Sequence, residues 1–468
     1  MDNRYSKLGK NTLWMTIGSF STKLLSFFLV PLYTNCLSTA EYGISDLLTT
    51  TVNLLIPFLT ITASEGILRL TLDKNTDKKQ IFSIATNIFT GGFIVFLFLS
   101  LPILKILSLS DYILFFILYY VTAALSSIFQ QFSKGLEHMR ILVFSGMIST
   151  FVTVVFNIFF LVFVRAGIEG YLMAMIIGGG VQILYLFLRE KLWQYYLLPS
   201  YIDKNYLKIF LNYCIPLIPN SLSWWISNSS DRYMIAYFDG AILLGIYSVA
   251  YKIPSIISVI SSIFTGAWQI SAVDNFGDKN SVSFFEDIYH KYSSLYAIGC
   301  SGIILFIKVL SKLLFAKEFY HAWSFAAVLT FAALFQAMGG FLGILYSAAM
   351  ETKQIFLTTV TGAITNVMLN ILLIPFYGAM GASIATLVSY FLVWMIRLMA
   401  SHKILPMNIR WGRVTVSYIC ILLQIWITIM QKQGWIFGSG LLCGVVILVN
   451  KNILKDICSF LKAGKKPV

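Results

Sequence analysis

The chain has 468 residues, of which 58% are hydrophobic and only 12% are charged, and its mean hydropathy is +0.80. A soluble globular protein carries roughly twice that charged fraction, so the composition excludes a soluble enzyme or binding domain. The net charge of +14 does not require nucleic acid as a partner, because basic residues accumulate on the cytoplasmic loops of membrane proteins.

Long apolar segments follow one another along the whole chain, and most are long enough to cross a bilayer. They predict an all-α polytopic membrane protein with about 14 transmembrane helices. The first segment is not followed by a small-residue cleavage site, so we expect it to be a retained span. The predicted spans are 12–34, 44–68, 81–104, 112–132, 141–164, 170–188, 210–238, 241–271, 292–315, 322–349, 355–377, 379–400, 414–431 and 435–450.

The charges of the connecting loops predict the orientation. The N-terminus, the even-numbered loops and the C-terminal tail together hold 25 Lys and Arg, with Arg397 counted among them. The odd-numbered loops hold seven, and a segment at 308–317 is basic on the unexpected side. This bias places both termini in the cytoplasm. The longest polar gaps, near 189–208 and 272–291, are too short for a catalytic domain of ordinary size.

The chain repeats itself. The stretch "GLEHMRILVFSGMISTFVTVVFN" (135–157) resembles "AMETKQIFLTTVTGAITNVMLN" (349–370), and each is followed by a G-x-x-G turn, "GIEG" or "GAMG". Corresponding segments lie six spans apart, so the two copies share one orientation. Parallel repeats are typical of transporters whose two lobes rock around a site at their interface. The expected parts are a six-helix lobe at 1–200, a second six-helix lobe at 201–402, and two extra helices with a basic cytoplasmic tail at 403–468.

Polar side chains concentrate in the first two spans of each half. Lys23 shares a helical face with Ser19 and Ser26, and an ionisable group inside a bilayer needs either a function or a partner. We therefore predict that these spans line a shared cleft. Its expected residues are Ser19, Lys23, Ser26, Asp46, Asn53, Glu65, Arg69, Asn220, Trp224, Asn228, Asp231, Arg232 and Lys252.

Two of these charges, Lys23 and Lys252, lie well inside their predicted spans. Lys23 can pair with Asp46 on the next helix, which would make it structural. Lys252 lies about two turns into its predicted helix, beyond easy snorkelling, so contact with a cavity is favoured there.

The other charged positions lie nearer the ends of their spans. Asp231 and Arg232 can form a simple interfacial pair near the outer mouth. Glu65 and Arg69 have the i, i+4 spacing of a helix-stabilising ion pair.

Sequence motifs for enzymatic chemistry are missing. The four histidines lack metal-binding spacing, the six cysteines contain no C-x-x-C pair, and no phosphate-binding loop follows a strand. We predict that the protein is not an enzyme and has no metal or other cofactor. Its motion would draw on an H⁺ or Na⁺ gradient, a substrate gradient or downstream steps. The "GGG" at 178–180 is expected to let helices pack closely.

Three stretches resemble the polysaccharide flippases of the multidrug/oligosaccharidyl-lipid/polysaccharide exporter superfamily, a resemblance that runs from about residue 4 to residue 400. They are "LSTAEYGISDLLTTTVNLLIPFLT", the block "SSDRYMIAYFDGAILLGIYSVAYKIP", which is the most specific, and "LNILLIPFYGAMGASIATLVSYFLVWMIR". The resemblance implies two six-helix lobes in a V-shaped, MATE-like arrangement in a bacterial cytoplasmic membrane.

The resemblance also implies a function. Such a protein moves an undecaprenyl-pyrophosphate-linked oligosaccharide repeat unit from the cytoplasmic to the outer leaflet, for capsule or O-antigen assembly. A polysaccharide polymerase and glycosyltransferases are then expected partners.

The chemistry of that substrate assigns roles to the polar residues. Cations would attract the pyrophosphate, amides, hydroxyls and the Trp224–Trp225 pair would contact sugars, and carboxylates would balance the empty site or bind a coupling ion. The expected pyrophosphate ligands are Lys23, Arg232 and Lys252; the sugar contacts are Ser19, Ser26, Asn53, Asn220, Trp224 and Asn228; the charge-balancing or ion-coupling residues are Asp46, Glu65, Arg69 and Asp231.

Two alternatives stay open. A cation-coupled multidrug exporter of the same superfamily would favour a carboxylate-rich pocket with fewer cations in the spans. A membrane polymerase or glycosyltransferase is disfavoured by the two-lobe repeat and by the short extramembrane loops.

Overall fold

A computed structural model describes residues 27–73, 75–277, 281–431 and 433–453 of the chain. Every regular element in these residues is helical, which confirms the predicted all-α class. The chain divides into two compact units between Tyr233 and Met234. The three-part division into 1–200, 201–402 and 403–468 stays a prediction.

Unit 1 is built from long helices that are tied together by aromatic and polar contacts. Phe96 on one helix stacks on Tyr120 of the next with ring centroids 3.9 Å apart, and both rings are fully buried. Its helices are α1 (Val30–Cys36), α2 (Thr39–Leu59), α3 (Ala63–Leu72), α4 (Lys78–Ile106), α5 (Ile113–Gly135), α6 (Met139–Ile158), α7 (Gly167–Arg189), α8 (Lys204–Cys214) and α9 (Ile218–Phe238), the last of which crosses the division.

Unit 2 is centred on one strongly buried helix, α14 (Trp323–Ala348), and 78% of the most apolar stretch there is buried. Gln424 attaches the last two helices to the unit: it accepts from Ser301 Oγ at 2.7 Å and donates to Ser439 Oγ at 3.0 Å. The helices of unit 2 are α10 (Gly240–Ala250), α11 (Ser255–Asn275), α12 (Ser281–Leu305), α13 (Ile307–Leu314), α14 (Trp323–Ala348), α15 (Thr352–Ser401), α16 (Trp411–Met430) and α17 (Trp435–Val449).

Short elements connect these helices. A π-helix extends α6 over Phe159–Val164. The 3-10 helices lie at Ser110–Tyr112, Leu192–Gln194, Pro199–Tyr201, Ile215–Leu217 and Lys317–Ala322.

Several predicted spans are bent rather than continuous. The second predicted span divides into α2 and α3, because Pro57 weakens the end of α2 and Ile61 and Thr62 adopt left-handed φ angles of 53° and 49°. The eighth bends by 47° between α10 and α11, where Pro254 caps the second helix. The ninth bends by 65° between α12 and α13.

Eight helices in the described residues are long and apolar enough to cross a membrane, or ten when each bent pair is one span. The predicted number of fourteen therefore stays a prediction. Much of the first predicted span lies outside the described residues. The eleventh and twelfth form one element, α15, whose halves meet at Gly378 (φ 53°, ψ −138°), and α17 has only 15 residues.

The internal repeat is visible in the geometry of each unit. In unit 1, Gly167 begins α7 with φ +54°, and Glu41 Oε1 accepts a hydrogen bond from the adjacent Ile168 amide at 3.2 Å. In unit 2, Gly378 has φ +53°, and a Cβ placed there would lie 3.3 Å from Asp239 Oδ2. Each turn thus combines a glycine of positive φ with a nearby carboxylate, which is the likeness expected of two copies of one repeat.

The three consecutive glycines of α7 differ sharply in their surroundings. A Cβ at Gly178 would overlap Thr153 Oγ1 and would lie 3.0 Å from the Ser149 carbonyl oxygen, both on α6. A Cβ at Gly180 would meet no atom within 4 Å. Gly178 therefore permits the close approach of α6 and α7, which agrees with the packing role predicted for this stretch.

We expect Gly178→Ala to destabilise the protein by about 1–3 kcal/mol, because the added methyl group forces α6 and α7 apart. The matched control, Gly180→Ala, should be neutral or slightly stabilising, because alanine is the better helix former. Thermal unfolding of the detergent-solubilised protein measures both. Equal stability of the two variants would contradict close α6–α7 packing.

Candidate functional site

The candidate site lies where α9 meets α2, and its centre is the guanidinium of Arg232. Arg232 Nε donates to Asp46 Oδ2 at 2.7 Å, and its NH1 donates to the Asn228 carbonyl oxygen at 2.7 Å. The Arg232 and Asp46 side chains are 14% and 24% exposed. The pair is thus short and charge-assisted but still partly accessible.

Asp231 adds a second carboxylate to the cluster around the guanidinium. Its Oδ1 lies 3.6 Å from Arg232 NH1 and accepts a hydrogen bond from the Arg232 backbone amide at 2.9 Å. Its side chain is only 4% exposed. Arg232 therefore does not form only a local interfacial pair with Asp231, because its shortest ionic contact is with Asp46 on α2.

Aromatic and hydroxyl groups lie beside this cluster along the same two helices. The Thr51 hydroxyl and the Tyr233 hydroxyl are 2.7 Å apart, and Thr51 also lies 2.7 Å from the Leu47 carbonyl oxygen. Trp225 Nε1 donates to the Thr50 carbonyl oxygen at 3.3 Å, and its ring lies 5.3 Å from that of Tyr233. Rings and hydroxyls of this kind suit contacts with sugars.

The structure brings together four of the predicted residues and separates others from them. Asn53 and Asn220 are exposed, and neither has a side-chain contact to the cluster among the described residues. Lys252 is half-buried in the turn between α10 and α11, within unit 2. The residues brought together are Asp46, Asn228, Asp231 and Arg232.

Ser19, Lys23 and Ser26 lie outside the described residues, as does the side chain of Trp224. Their predicted roles, including the alternative pairing of Lys23 with Asp46, are therefore untested.

Glu65 and Arg69 behave differently from the expected i, i+4 pair. Both are exposed on α3, and among the ion pairs of the described residues none joins them. Glu65 in the first turn and Arg69 in the last turn still complement the helix dipole.

Thr51 and Tyr233 were not among the residues predicted from sequence. Tyr233 directly follows Arg232 in the block that carries the family resemblance, which is the available sequence signal. Thr51 also lies in a stretch that carries the resemblance, but its residue type gives no further signal, since a threonine in an apolar helix usually bonds to its own backbone.

A family model described as polysaccharide biosynthesis protein matches residues 8–269. The chain belongs to this family. A curated relative, an uncharacterized membrane protein of Methanocaldococcus jannaschii, is 26% identical over 207 residues, which is 43% of this chain and 48% of that protein. The matching region thus spans about half the length of that relative.

Solved structures confirm the predicted fold of this family member. The lipid II flippase MurJ in an inward closed conformation matches with a TM-score of 0.68 and 15% identity, over 95% of this chain and 99% of that one. An inward-facing multidrug resistance MATE family transporter of the MOP superfamily matches with a TM-score of 0.65 and 13% identity, over 83% and 97%. The protein is thus a multi-pass membrane protein with a flippase-like fold.

We expect Asp46→Ala and Arg232→Ala to be coupled in a double-mutant cycle, with an interaction energy of about 0.5–3 kcal/mol, because they remove the two ends of one ion pair. Chemical unfolding in detergent micelles measures the four free energies. The control cycle combines Glu65→Ala with Arg69→Ala, for which we expect coupling near zero. The same coupling in both cycles would show that the Asp46–Arg232 contact contributes nothing specific.

Proposed function

We propose that this protein flips undecaprenyl-pyrophosphate-linked oligosaccharide repeat units from the cytoplasmic to the outer leaflet of a bacterial cytoplasmic membrane. The transported units would supply capsule or another surface polysaccharide, and both termini would lie in the cytoplasm. The cycle is alternating access without ATP. A polymerase and glycosyltransferases are proposed partners.

The observation that carries the proposal is the Arg232 cluster where α9 meets α2, a helix long and apolar enough to cross a membrane, in a member of the polysaccharide biosynthesis family. Arg232 presents a planar, permanently charged fork that matches phosphate oxygens, and Asp46 holds it when no substrate is bound. Because both side chains remain partly exposed, an incoming pyrophosphate can replace the carboxylate as the partner of the guanidinium.

Exchange of partners also accounts for the acidic side chains of the cluster. A lone guanidinium in a low-dielectric cleft is costly, and Asp46 and Asp231 offset that cost between transport events. Once released from Arg232, a carboxylate is free to take up H⁺ or Na⁺, which would couple transport to a gradient. Lys23 and Lys252 keep the pyrophosphate-binding roles predicted from the sequence.

The sugar part of the substrate would contact the hydroxyl and aromatic groups beside Arg232. Tyr233 and Trp225 offer faces and donors, and Thr51 lies next to the Tyr233 hydroxyl. Aromatic rings tolerate different sugars, because the face of the ring stacks against the face of the sugar. The polyprenyl chain would stay in lipid.

Leaflet-resolved quantitation of lipid-linked repeat units tests the proposal in cells with the wild-type protein, without it, or with Lys23→Ala or Arg232→Ala. We expect units to accumulate on the cytoplasmic side in the deletion strain and in both variants, at normal protein levels. Lys105→Ala serves as the control, because Lys105 is an exposed residue at the end of α4.

Each other outcome has a definite meaning. Accumulation in the deletion strain alone would retain the flippase function and make Lys23 and Arg232 structural. No accumulation in any strain would contradict the flippase function and favour the cation-coupled multidrug exporter, which drug-efflux assays of the same strains would then detect.

A further inference from the structure

An open cavity of about 500 Å³ lies in unit 2, where α15 ends and α16 begins. Its lining is mostly apolar, and the polar residues in it are Ser401, His402 and Asn408. Met399 and Trp411 belong to the lining and are 67% and 47% exposed, so the cavity opens beside apolar surface. Such a lining suits a ligand that is largely apolar and has a small polar part.

The end of α15 that lines the cavity is fixed by Arg397, which lies inside α15 directly before Leu398 of the lining. Its Nε and NH2 donate to the hydroxyls of Thr358 and Thr359 at 3.0 Å each, and its NH1 donates to the Gly339 carbonyl oxygen at 2.8 Å. These partners lie on α14 and on the first half of α15. This wall of the cavity is therefore preformed.

The segment between α15 and α16 contributes residues 406–409 to the lining, and α12 holds this segment at Asn408. The Asn408 amide donates to Glu286 Oε2 at 3.1 Å, and His290 Nε2 donates to the Asn408 carbonyl oxygen at 3.1 Å. Because α12 binds both backbone groups of this residue, the segment has one defined path past the cavity.

The same segment is strongly basic. Residues 402–413 contain Lys403, Arg410 and Arg413 and no Asp or Glu. Among the ion pairs of the described residues none includes these three cations. Lys403 and Arg410 are exposed and Arg413 is half-buried, so all three can reach a ligand at the mouth of the cavity.

Two carboxylates on the turn of α12 that holds the segment have other partners. Glu286 accepts from the Asn408 amide and lies 3.9 Å from His290 Nε2. Asp287 Oδ2 lies 2.8 Å from Lys291 Nζ. The positive charge of the segment is thus left for an anion from outside the chain.

The predicted spans place the cavity at the surface of the bilayer. Met399 is at the end of the predicted span 379–400, and Trp411 comes just before the predicted span 414–431. Tryptophan is typical of this interfacial level, and basic pockets between helices at the cytoplasmic surface bind the headgroups of anionic lipids.

We propose that this cavity binds one anionic phospholipid of the surrounding membrane. The phosphate lies at Lys403, Arg410 and Arg413, and the start of an acyl chain lies in the apolar lining. The lipid contacts both α15 and α16 and stabilises their junction. This lipid is not transported, and its site belongs to unit 2, whereas Arg232 belongs to unit 1.

Native mass spectrometry of the purified, delipidated full chain tests the proposal. The probes are dioleoyl phosphatidylglycerol and dioleoyl phosphatidylcholine, which share their acyl chains and differ in net charge. Glycerol 1-phosphate is added as a competitor that has the phosphate but no chains. The test variant combines Arg410→Gln with Arg413→Gln. The matched control combines Lys353→Gln with Lys451→Gln, because both lysines are exposed, belong to unit 2 and lie outside the lining.

We expect the wild-type protein to bind phosphatidylglycerol more tightly than phosphatidylcholine. The arginine double variant should lose about thirtyfold in phosphatidylglycerol affinity, the factor for two basic residues near a membrane surface. Its phosphatidylcholine binding should not change, and the lysine control should bind both lipids like wild type. Ile409→Trp, which narrows the cavity and keeps every charge, should also weaken phosphatidylglycerol binding. Phosphatidylglycerol should raise the unfolding temperature of the wild-type protein but not that of the arginine double variant.

Three results would overturn the proposal. Equal affinity of the wild-type protein for the two lipids, or equal losses in the arginine and lysine double variants, would leave only unspecific attraction to lipid. Displacement of phosphatidylglycerol by glycerol 1-phosphate would make this a site for a soluble anion. If the arginine double variant does not fold, the single variants Arg410→Gln and Arg413→Gln decide, each with an expected loss of about fivefold.

Discussion

The hydrocarbon core of a membrane offers no hydrogen-bond partner, and the polar contacts of this protein follow from that constraint. Hydroxyls inside its helices bond to their own backbone, as Thr34 does to the Val30 carbonyl oxygen at 3.1 Å. Larger polar groups must reach a neighbouring helix, and those contacts determine which helices stay together. Gln182, Gln424 and Arg397 each join three helices or helix halves in this way. The Asp46–Arg232 pair differs because it is partly exposed, so a solvent-borne or lipid-borne anion can compete for it.

That difference in burial separates permanent contacts from exchangeable ones. A fully buried ion pair resists separation, since breaking it leaves an uncompensated charge at a cost of about 3–5 kcal/mol. A pair that water reaches costs less to break, and a pyrophosphate with two anionic groups can meet that cost. Arg232 is therefore suited to change partners during a cycle, whereas Arg397, held by hydroxyls and a carbonyl, is suited to remain in place.

Much of the fold could be predicted because its signals are local. Apolar length predicted the helices, but only the structure showed that the predicted span 241–271 bends by 47° where Pro254 caps α11. The candidate site was predictable only in part. Polarity identified Asp46 and Arg232, but their pairing joins residues that are 186 positions apart, which one sequence does not reveal. Arg397 lies inside the predicted span 379–400 although the charge count included it with the loops, and only packing shows that it is buried.

A comparison of corresponding positions in the two units distinguishes residues that build the fold from residues that differ between the copies. Positions that build the fold look alike in the two units: Gly167 and Gly378 share a left-handed φ, and Asn157 and Asn370 are both fully buried. A transporter of a symmetric ligand could keep every other position alike as well. A lipid-linked pyrophosphate is not symmetric, since one end is anionic and the other is a sugar chain. For the substrate that we propose, the two units would have different tasks, and the differences would appear as changes of charge on a repeated backbone. Glutamine in one unit and arginine in the other, each linking the corresponding helices of its own unit, is a change of that kind.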